Sequence, residues 1–147
     1  MIYKTEHHNM GDIQSLLTAF VDESVYETKV NPEGVKRVVG SPNTLVIVVY
    51  NEDKPVAIFM GYTYNHPMFF VKFSADLLLY VSPEHRGSPI AVRLMKMYQE
   101  WAHKQNVNYI AIGQSTGIGD ATRVRNFYEK LGFKMTGFNC LKEPGYV

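Results

Sequence analysis

The chain has 147 residues, of which 46% are hydrophobic and 20% are charged. This composition is typical of a globular protein and excludes a disordered chain, so we expect one domain over residues 1–147. A formal net charge of +1 argues against a nucleic-acid partner, and a single cysteine excludes an internal disulfide. Because the longest apolar run is far shorter than the roughly 20 residues of a membrane span and the N-terminus lacks a signal-peptide pattern, we expect a cytoplasmic protein with no membrane contact.

Capping and turn signals divide the first half of the chain into short elements. Residues 2–5 are a candidate strand, and Asp12 is a candidate N-cap for a helix with apolar positions 13, 16, 17 and 20. Residues 32–39 predict a second helix, which Gly40 ends. Two strands follow, over 44–50 and 56–64, and the short polar turn between them predicts an antiparallel hairpin.

The second half of the chain alternates between strand and helix patterns. A strand is expected over 76–81, and an amphipathic helix then carries apolar residues at 91, 94, 95, 98, 101 and 102. A strand over 108–112, a helix that Asp120 begins and Gly132 ends, and a last strand over 133–141 complete the chain. The fold class is therefore α/β, with a mixed, mostly antiparallel central sheet flanked by about four helices.

The segment 81–91 joins the third strong strand to the amphipathic helix through a tight turn. Ser88 is a suitable N-cap and Pro89 suits the first helical position, so the free N–H groups that follow would face an anion such as phosphate. Arg86 adds a bidentate donor. A capped turn without any ligand explains the same residues.

The segment 126–133 is the second group of residues that suggests chemistry. Tyr128 lies on a helix beside apolar positions, where its phenol could reach a cleft. An aromatic residue at helical spacing is more often part of the core, so this position alone does not decide between packing and catalysis.

Together, residues 76–91 and 121–133 resemble the GNAT superfamily of N-acetyltransferases. The family's acetyl-CoA motif is an Arg or Gln, two residues, a Gly, one residue and then Gly or Ala, and residues 86–91 are similar to it except that Pro89 replaces the first Gly. Residues 127–133 are similar to the family's C-terminal signature. The resemblance implies a GNAT-like domain over 1–147 with acetyl-CoA as co-substrate and no metal.

The resemblance also implies a role for each part of these segments. The main chain at Leu79, Tyr80 and Val81 is expected to bind the pantetheine arm of acetyl-CoA. Tyr128 matches the position of the family's frequent general acid, which protonates the departing thiolate. The residues expected to cradle the pyrophosphate are Arg86, Gly87, Ser88, Ile90 and Ala91.

Two further positions differ from the family pattern. Ala121 stands where the family often has an Asn, and residues 77–79 are leucines where many members carry a Glu that removes a proton from the amine. The nearest carboxylate on that strand is Asp76, which strand alternation would place on the face of Leu78 and Tyr80. Asp76 and a water chain are both candidates for the general base.

The expected function is an acyl-CoA-dependent N-acyltransferase that moves acetyl from acetyl-CoA to a primary amine by direct attack. Its acceptor is a small-molecule or peptide amine, and the acidic residues of segment 22–33 either bind a cationic acceptor or form a solvated loop. The alternative is a non-catalytic GNAT-like module that binds CoA or a protein partner, and an interaction domain without a CoA site is a third hypothesis. The sequence is also compatible with a homodimer.

Overall fold

The computed structural model describes residues 1–113 and 118–145, which form one α/β domain. Its helices in this part of the chain are α1 (Met10–Glu23), α2 (Pro32–Gly40), α3 (Ile90–Lys104) and α4 (Ala121–Lys130). Its strands there are β1 (Ile2–Lys4), β2 (Thr44–Asn51), β3 (Lys54–Asn65), β4 (Lys72–Val81) and β5 (Tyr109–Ile110). None of these helices is long and apolar enough to cross a lipid bilayer.

The five strands form one mixed sheet in the order β1-β2-β3-β4-β5. The first four strands are antiparallel to their neighbours, and β5 lies parallel to β4. β2 and β3 are rich in β-branched and aromatic residues, which suit a buried pleated surface, and they form the predicted hairpin. The predicted mixed, mostly antiparallel sheet with helices on it is therefore confirmed.

The helices cover both faces of the sheet. α1 and α2 lie on one face, where α1 inserts Ile13, Leu16 and Leu17 against alternate residues of β2 and β3. α3 lies on the opposite face and buries Leu94, Met95 and Tyr98 there, as its three-and-four spacing predicts. Because the two faces have separate apolar clusters, the side to which a β4 residue points decides which helices it meets.

A β-bulge in β4 changes that side. Met60 pairs with Leu78 and Gly61 pairs with Asp76, so Leu77 is an extra, unpaired residue. Leu78 packs with the α1 face, whereas Ser74, two residues before Asp76, bonds Tyr98 of α3. The prediction that Asp76 shares a face with Leu78 and Tyr80 is therefore wrong, because the extra residue reverses the alternation.

The cap of α1 also differs from the sequence-based expectation. Asn9 begins this helix, and its side-chain oxygen accepts a hydrogen bond from the N–H of Asp12 at 3.0 Å. The Asp12 carboxylate instead accepts a bond of 2.7 Å from the hydroxyl of Tyr50, on β2. Both residues are good N-caps, and a contact between residues distant in sequence decides which one serves.

The first three strands differ from the predicted bounds by one or two residues at an end, whereas the later strands differ more. β4 begins at Lys72 rather than 76, and β5 covers only Tyr109–Ile110 of the predicted 108–112. Residues 133–141 form no strand, and Phe138 and Leu141 there are 84% and 68% exposed. An alternating pattern makes a strand only where a sheet edge pairs with it, and local sequence carries no information about that edge.

Candidate active site

Among the described residues, β5 pairs with only the first part of β4, and the edge of β4 beyond that pairing is called here the opening between β4 and β5. β5 pairs only with Phe73 and Ser74, and the last bond of this ladder runs from the N–H of Ala111 to the carbonyl of Ser74 at 2.8 Å. Beyond Ser74, the β4 edge that faces away from β3 has no partner strand in residues 1–113 and 118–145. As far as residues 1–113 and 118–145 are concerned, this stretch of backbone can bind a ligand.

The backbone groups that face the opening follow from the pairing of β4 with β3. The N–H of Ser82 donates to the carbonyl of Val56 at 2.8 Å, and these directions alternate along an antiparallel strand. Leu79 and Val81 therefore turn their N–H groups to the opening, while Tyr80 pairs with β3. Of the three residues expected to bind the pantetheine arm, two present free donors and Tyr80 does not.

The loop between β4 and α3 contains the sequence-predicted anion site. Gly87 has a φ of +81°, a left-handed conformation that favours glycine. α3 begins at Ile90 with Pro89 as its N-cap, one residue later than predicted, and the Ser88 hydroxyl donates to the carbonyl of His85 at 2.6 Å. The N–H of Ile90 donates to the Ser88 hydroxyl oxygen at 3.4 Å, and the next amides of α3, such as that of Ala91, have no carbonyl acceptor within the helix and can bind an anion.

Arg86 makes contacts within the protein that its position in the sequence does not indicate. Its Nε donates to the carbonyl of Val81 at 2.9 Å, and a terminal nitrogen forms an ion pair with Glu23 at the end of α1. The guanidinium also lies over the ring of Tyr80, 5.6 Å from its centroid. The side chain thus connects the loop to α1, and a phosphate would compete with Glu23 for it.

The C-terminus of α4 fixes the position of Tyr128. The N–H of Phe133 donates to the carbonyl of Tyr128 at 3.1 Å and that of Gly132 to Glu129 at 3.0 Å, which together form a Schellman motif. The rings of Tyr128 and Phe133 meet edge to face with centroids 6.1 Å apart. The ring is thereby held against the α3 side of the core. Its hydroxyl has no hydrogen-bond partner within the described residues.

Asp76 lies at the start of the opening, on the same face of the sheet. Its carboxylate accepts a bond of 3.0 Å from the N–H of Gly113, just beyond β5. Burial raises the pKa of Asp76 to about 6, although bonds from its own N–H and that of Gly113 act in the opposite direction. The carboxyl is therefore mostly ionised at neutral pH but can gain a proton within the physiological range.

Tyr128 and Asp76 influence each other electrostatically. Burial raises the pKa of the Tyr128 phenol above its usual value, and the negative charge of Asp76 raises it further. The phenol stays protonated at neutral pH. The opening therefore combines a carboxylate that can accept a proton with a phenol that can donate one, and environments that separate two pKa values in this way define acid and base roles.

Two features of the site were not anticipated from the sequence. Gly61 pairs with Asp76 across the bulge, and a Cβ there would lie 2.9 Å from the Phe59 ring and 3.1 Å from the carbonyl of Ala75. A glycine inside an otherwise apolar strand is itself a bulge signal. No sequence signal connects Gly113 to the Asp76 carboxylate, because only the fold brings the two together.

We expect Gly132→Ala to destabilise the protein, because the φ of +94° at this position costs an alanine about 1–2 kcal/mol. The displaced end of α4 also moves Tyr128, so kcat should fall several-fold. Thermal unfolding and steady-state kinetics measure both effects. Gly137→Ala, at a glycine with an ordinary φ and no atom near its Cβ, is the matched control. Equal stability of the two variants would contradict the role of the Schellman motif.

The side chains that commonly ligate metals are dispersed over the part of the chain that the structure describes. Residues 1–113 and 118–145 contain no group of three or more His, Cys, Asp or Glu side chains placed to hold an ion. At the opening between β4 and β5, the groups that can bind a ligand or move a proton are the backbone amides, Asp76 and Tyr128.

Three solved structures show what this fold is similar to. The apo aminoglycoside 6'-N-acetyltransferase AAC(6')-IG of Acinetobacter haemolyticus aligns with a TM-score of 0.73 and 15% identity over 100% of both chains. Glucosamine-6-phosphate N-acetyltransferase of Arabidopsis thaliana aligns with a TM-score of 0.75 and 12% identity over 98% of this chain and 99% of that one. AAC(6')-Iy, solved with a CoA-containing bisubstrate analogue, aligns with a TM-score of 0.74 and 11% identity over 97% of this chain and 96% of its own.

Comparison with sequence models of protein families identifies the family of this chain. No curated protein sequence matches this chain. A family model described as "Acetyltransferase (GNAT) domain" matches residues 42–135, which is more than half of the chain and includes β2 to α4. The match covers the bulge, the opening between β4 and β5, the loop before α3 and Tyr128. The chain belongs to the GNAT acetyltransferase domain family.

Proposed function

We propose that the protein is an acetyl-CoA-dependent N-acetyltransferase that transfers acetyl to a primary amine by direct attack. The observation that carries this proposal is that Asp76, whose carboxylate accepts a bond from Gly113 beside the open edge of β4, acts electrostatically on the protonated phenol of Tyr128, so that a proton acceptor and a proton donor lie on one face of the sheet. Membership of the family supports it, as does the similarity to acetyltransferases, one of them bound to a CoA analogue.

The described residues fit acetyl-CoA as co-substrate. Leu79 and Val81 offer unpaired N–H groups along the open edge of β4, which suit the amide carbonyls of a pantetheine arm. Gly87 and the first amides of α3, including that of Ala91, form a concave group of donors at a helix N-terminus, which suits a pyrophosphate. Bound acetyl-CoA supplies an activated acyl group.

Each of the two titratable residues then moves one proton. Asp76, directly or through water, accepts the proton that the ammonium group loses when it becomes nucleophilic. Tyr128 donates its phenolic proton to the sulfur that departs as the C–S bond breaks. Through water it regains the second proton, which the nitrogen loses as it becomes an amide, and Asp76 releases its own proton to solvent. The new C–N bond and the broken C–S bond balance, and no covalent intermediate on the protein is required.

A non-catalytic GNAT-like module that binds CoA or a protein partner is the second candidate. The observation in its favour is the ion pair of Arg86 with Glu23, which occupies a cation that would otherwise reach a phosphate. Pro89, which has no N–H, removes another donor from the loop. Release of free CoA thiol across a panel of primary amines separates the two, because only the enzyme produces it in the presence of an amine.

We expect acetyl-CoA to raise the melting temperature, because a ligand that binds only the folded state stabilises it by about 2.7 kcal/mol at a hundredfold excess over its Kd. For a domain of this size that corresponds to a shift of roughly 5–10 °C. A thermal-shift titration with acetyl-CoA, and with adenosine as the control ligand, measures it. A flat titration up to millimolar acetyl-CoA would contradict acetyl transfer and CoA binding, and would leave only a module that binds a protein partner.

A further inference from the structure

A largely apolar groove of about 450 Å³ lies between α1, α2 and the bulged part of β4. Its walls include Leu17, Phe20, Val35, Val38, Met60 and Leu78. Of all the residues that line it, only Asn31 and Arg37 have polar side chains, and none is acidic. The groove therefore provides an apolar surface with one fixed positive charge.

This groove meets the opening between β4 and β5 at the bulge. Leu77, the unpaired residue, lines the groove and is 48% exposed. Asp76, next to it, lies on the other face of the strand, where its carboxylate binds Gly113. A small molecule with its body in the groove can thus direct a terminal group past Leu77 to the open edge of β4.

Arg37 has no ion-pair partner among the described residues, unlike its neighbours. On the same helix, Lys36 lies 3.6 Å from the Glu33 carboxylate, and Arg86 pairs with Glu23. Glu33, four residues before Arg37 on the same helix, contacts Lys36, and the described residues contain no ion pair of Arg37, so the Arg37 guanidinium can bind a ligand. A guanidinium binds a carboxylate with two parallel hydrogen bonds.

We propose that the acceptor is an amine with an apolar body and one carboxylate group, which binds in this groove with its carboxylate at Arg37. This inference rests on the proposed acetyl transfer and specifies its acceptor. Polycationic amines such as aminoglycosides do not fit, because they place several positive charges beside Arg37 on a surface without acidic residues. Neutral apolar amines fit the walls but leave Arg37 without a partner.

Matched pairs of amines test the inference. Leucine with leucinamide, phenylalanine with phenylalaninamide, and 8-aminooctanoate with octylamine differ in the carboxylate, and kanamycin and spermidine represent polycations. We expect the carboxylate member of at least one pair to have a kcat/KM about tenfold or more above its partner, as a charged hydrogen bond gives. Both polycations should react more slowly still.

Variants in and just before α2 assign the effect to Arg37. Arg37→Ala should remove the preference for the carboxylate member and Arg37→Glu should reverse it, while Lys29→Ala, which removes an exposed cation that precedes α2 and does not line the groove, should leave it unchanged. None of these variants should change the thermal shift with acetyl-CoA, because α2 lies on the opposite face of the sheet from α3.

Binding measurements keep this inference separate from the proposed function. The same amines are titrated calorimetrically into the complex with CoA, which requires no turnover. Tighter binding of a carboxylate member, lost in Arg37→Ala, supports the inference even if no amine reacts, and in that case only the proposed acetyl transfer fails. Equal binding within every pair, or tighter binding of the polycations, overturns the inference whether or not acetyl is transferred.

Discussion

We expect replacement of Tyr128 by Phe to lower kcat for the proposed acetyl transfer by about 10²-fold or more, because a positioned general acid contributes roughly 10²–10⁴-fold to the rate. Only the hydroxyl is lost. The ring keeps its edge-to-face contact with Phe133, and the Schellman motif that holds both residues depends on the backbone alone. Acetyl-CoA affinity and thermal stability therefore change little, so the effect appears in kcat rather than in binding.

Tyr109→Phe is the matched control, since it removes the hydroxyl of a tyrosine that is 61% exposed and stacks on Phe73. Its kcat should equal that of the wild type. Steady-state kinetics from pH 6 to pH 10, with acetyl-CoA Kd from thermal shift, compare the two variants. Full turnover by Tyr128→Phe at every pH would make Tyr128 a packing residue and would remove the acid from the proposed mechanism.

Much of the framework could be predicted because its signals are local. The three-and-four spacing of α3 fixes which side of the helix meets the sheet, and Leu94, Met95 and Tyr98 are buried as that spacing predicts. Gly132 marks the end of α4 through its positive φ, and this end also places Tyr128. These features need no knowledge of distant residues.

The position of Asp76 could not be predicted from alternation, because a bulge depends on the register between two strands. One extra residue, Leu77, moves Asp76 from the α1 face to the face of α3 and α4. Gly61 was a signal of this bulge, since its missing Cβ accommodates the Phe59 ring and the Ala75 carbonyl. The same bulge places a general-base candidate and the apolar groove on opposite faces of one strand.

The role of Arg86 was also beyond the sequence, for a different reason. Its partner Glu23 is 63 residues away in the chain, and the ion pair exists only because α1 ends beside the loop that follows β4. A sequence motif predicts the residue type at a position, but it does not predict which of several nearby hydrogen-bond acceptors the side chain binds. The acidic segment 22–33 thus contacts the loop through Glu23, the last residue of α1.

Ionisation of Asp76 should control both rate and stability, and the two effects have opposite signs with pH. As a base with a pKa of about 6, Asp76 must lose its proton to act, so kcat/KM falls as the pH decreases below about 6. Its pKa in the folded protein lies above the unfolded value of 3.8, so the folded state binds the proton more tightly. Stability is therefore lost as the pH rises from about 4 to about 6.

Asp76→Asn separates these effects, because the amide oxygen can still accept the bond from Gly113 but cannot be ionised. We expect kcat/KM at pH 8 to fall by about 10²-fold or more and its acid limb to disappear. The same variant should be more stable than the wild type at pH 8, by up to about 3 kcal/mol, and similar to it below pH 4. Asp53→Asn, in the exposed turn between β2 and β3, is the control for the change of residue type.

Two outcomes would contradict these expectations. If the acid limb persists in Asp76→Asn, the limb belongs to another group and a water chain is the base. If the limb is lost without any gain in stability at pH 8, burial does not raise the pKa of the Asp76 carboxyl.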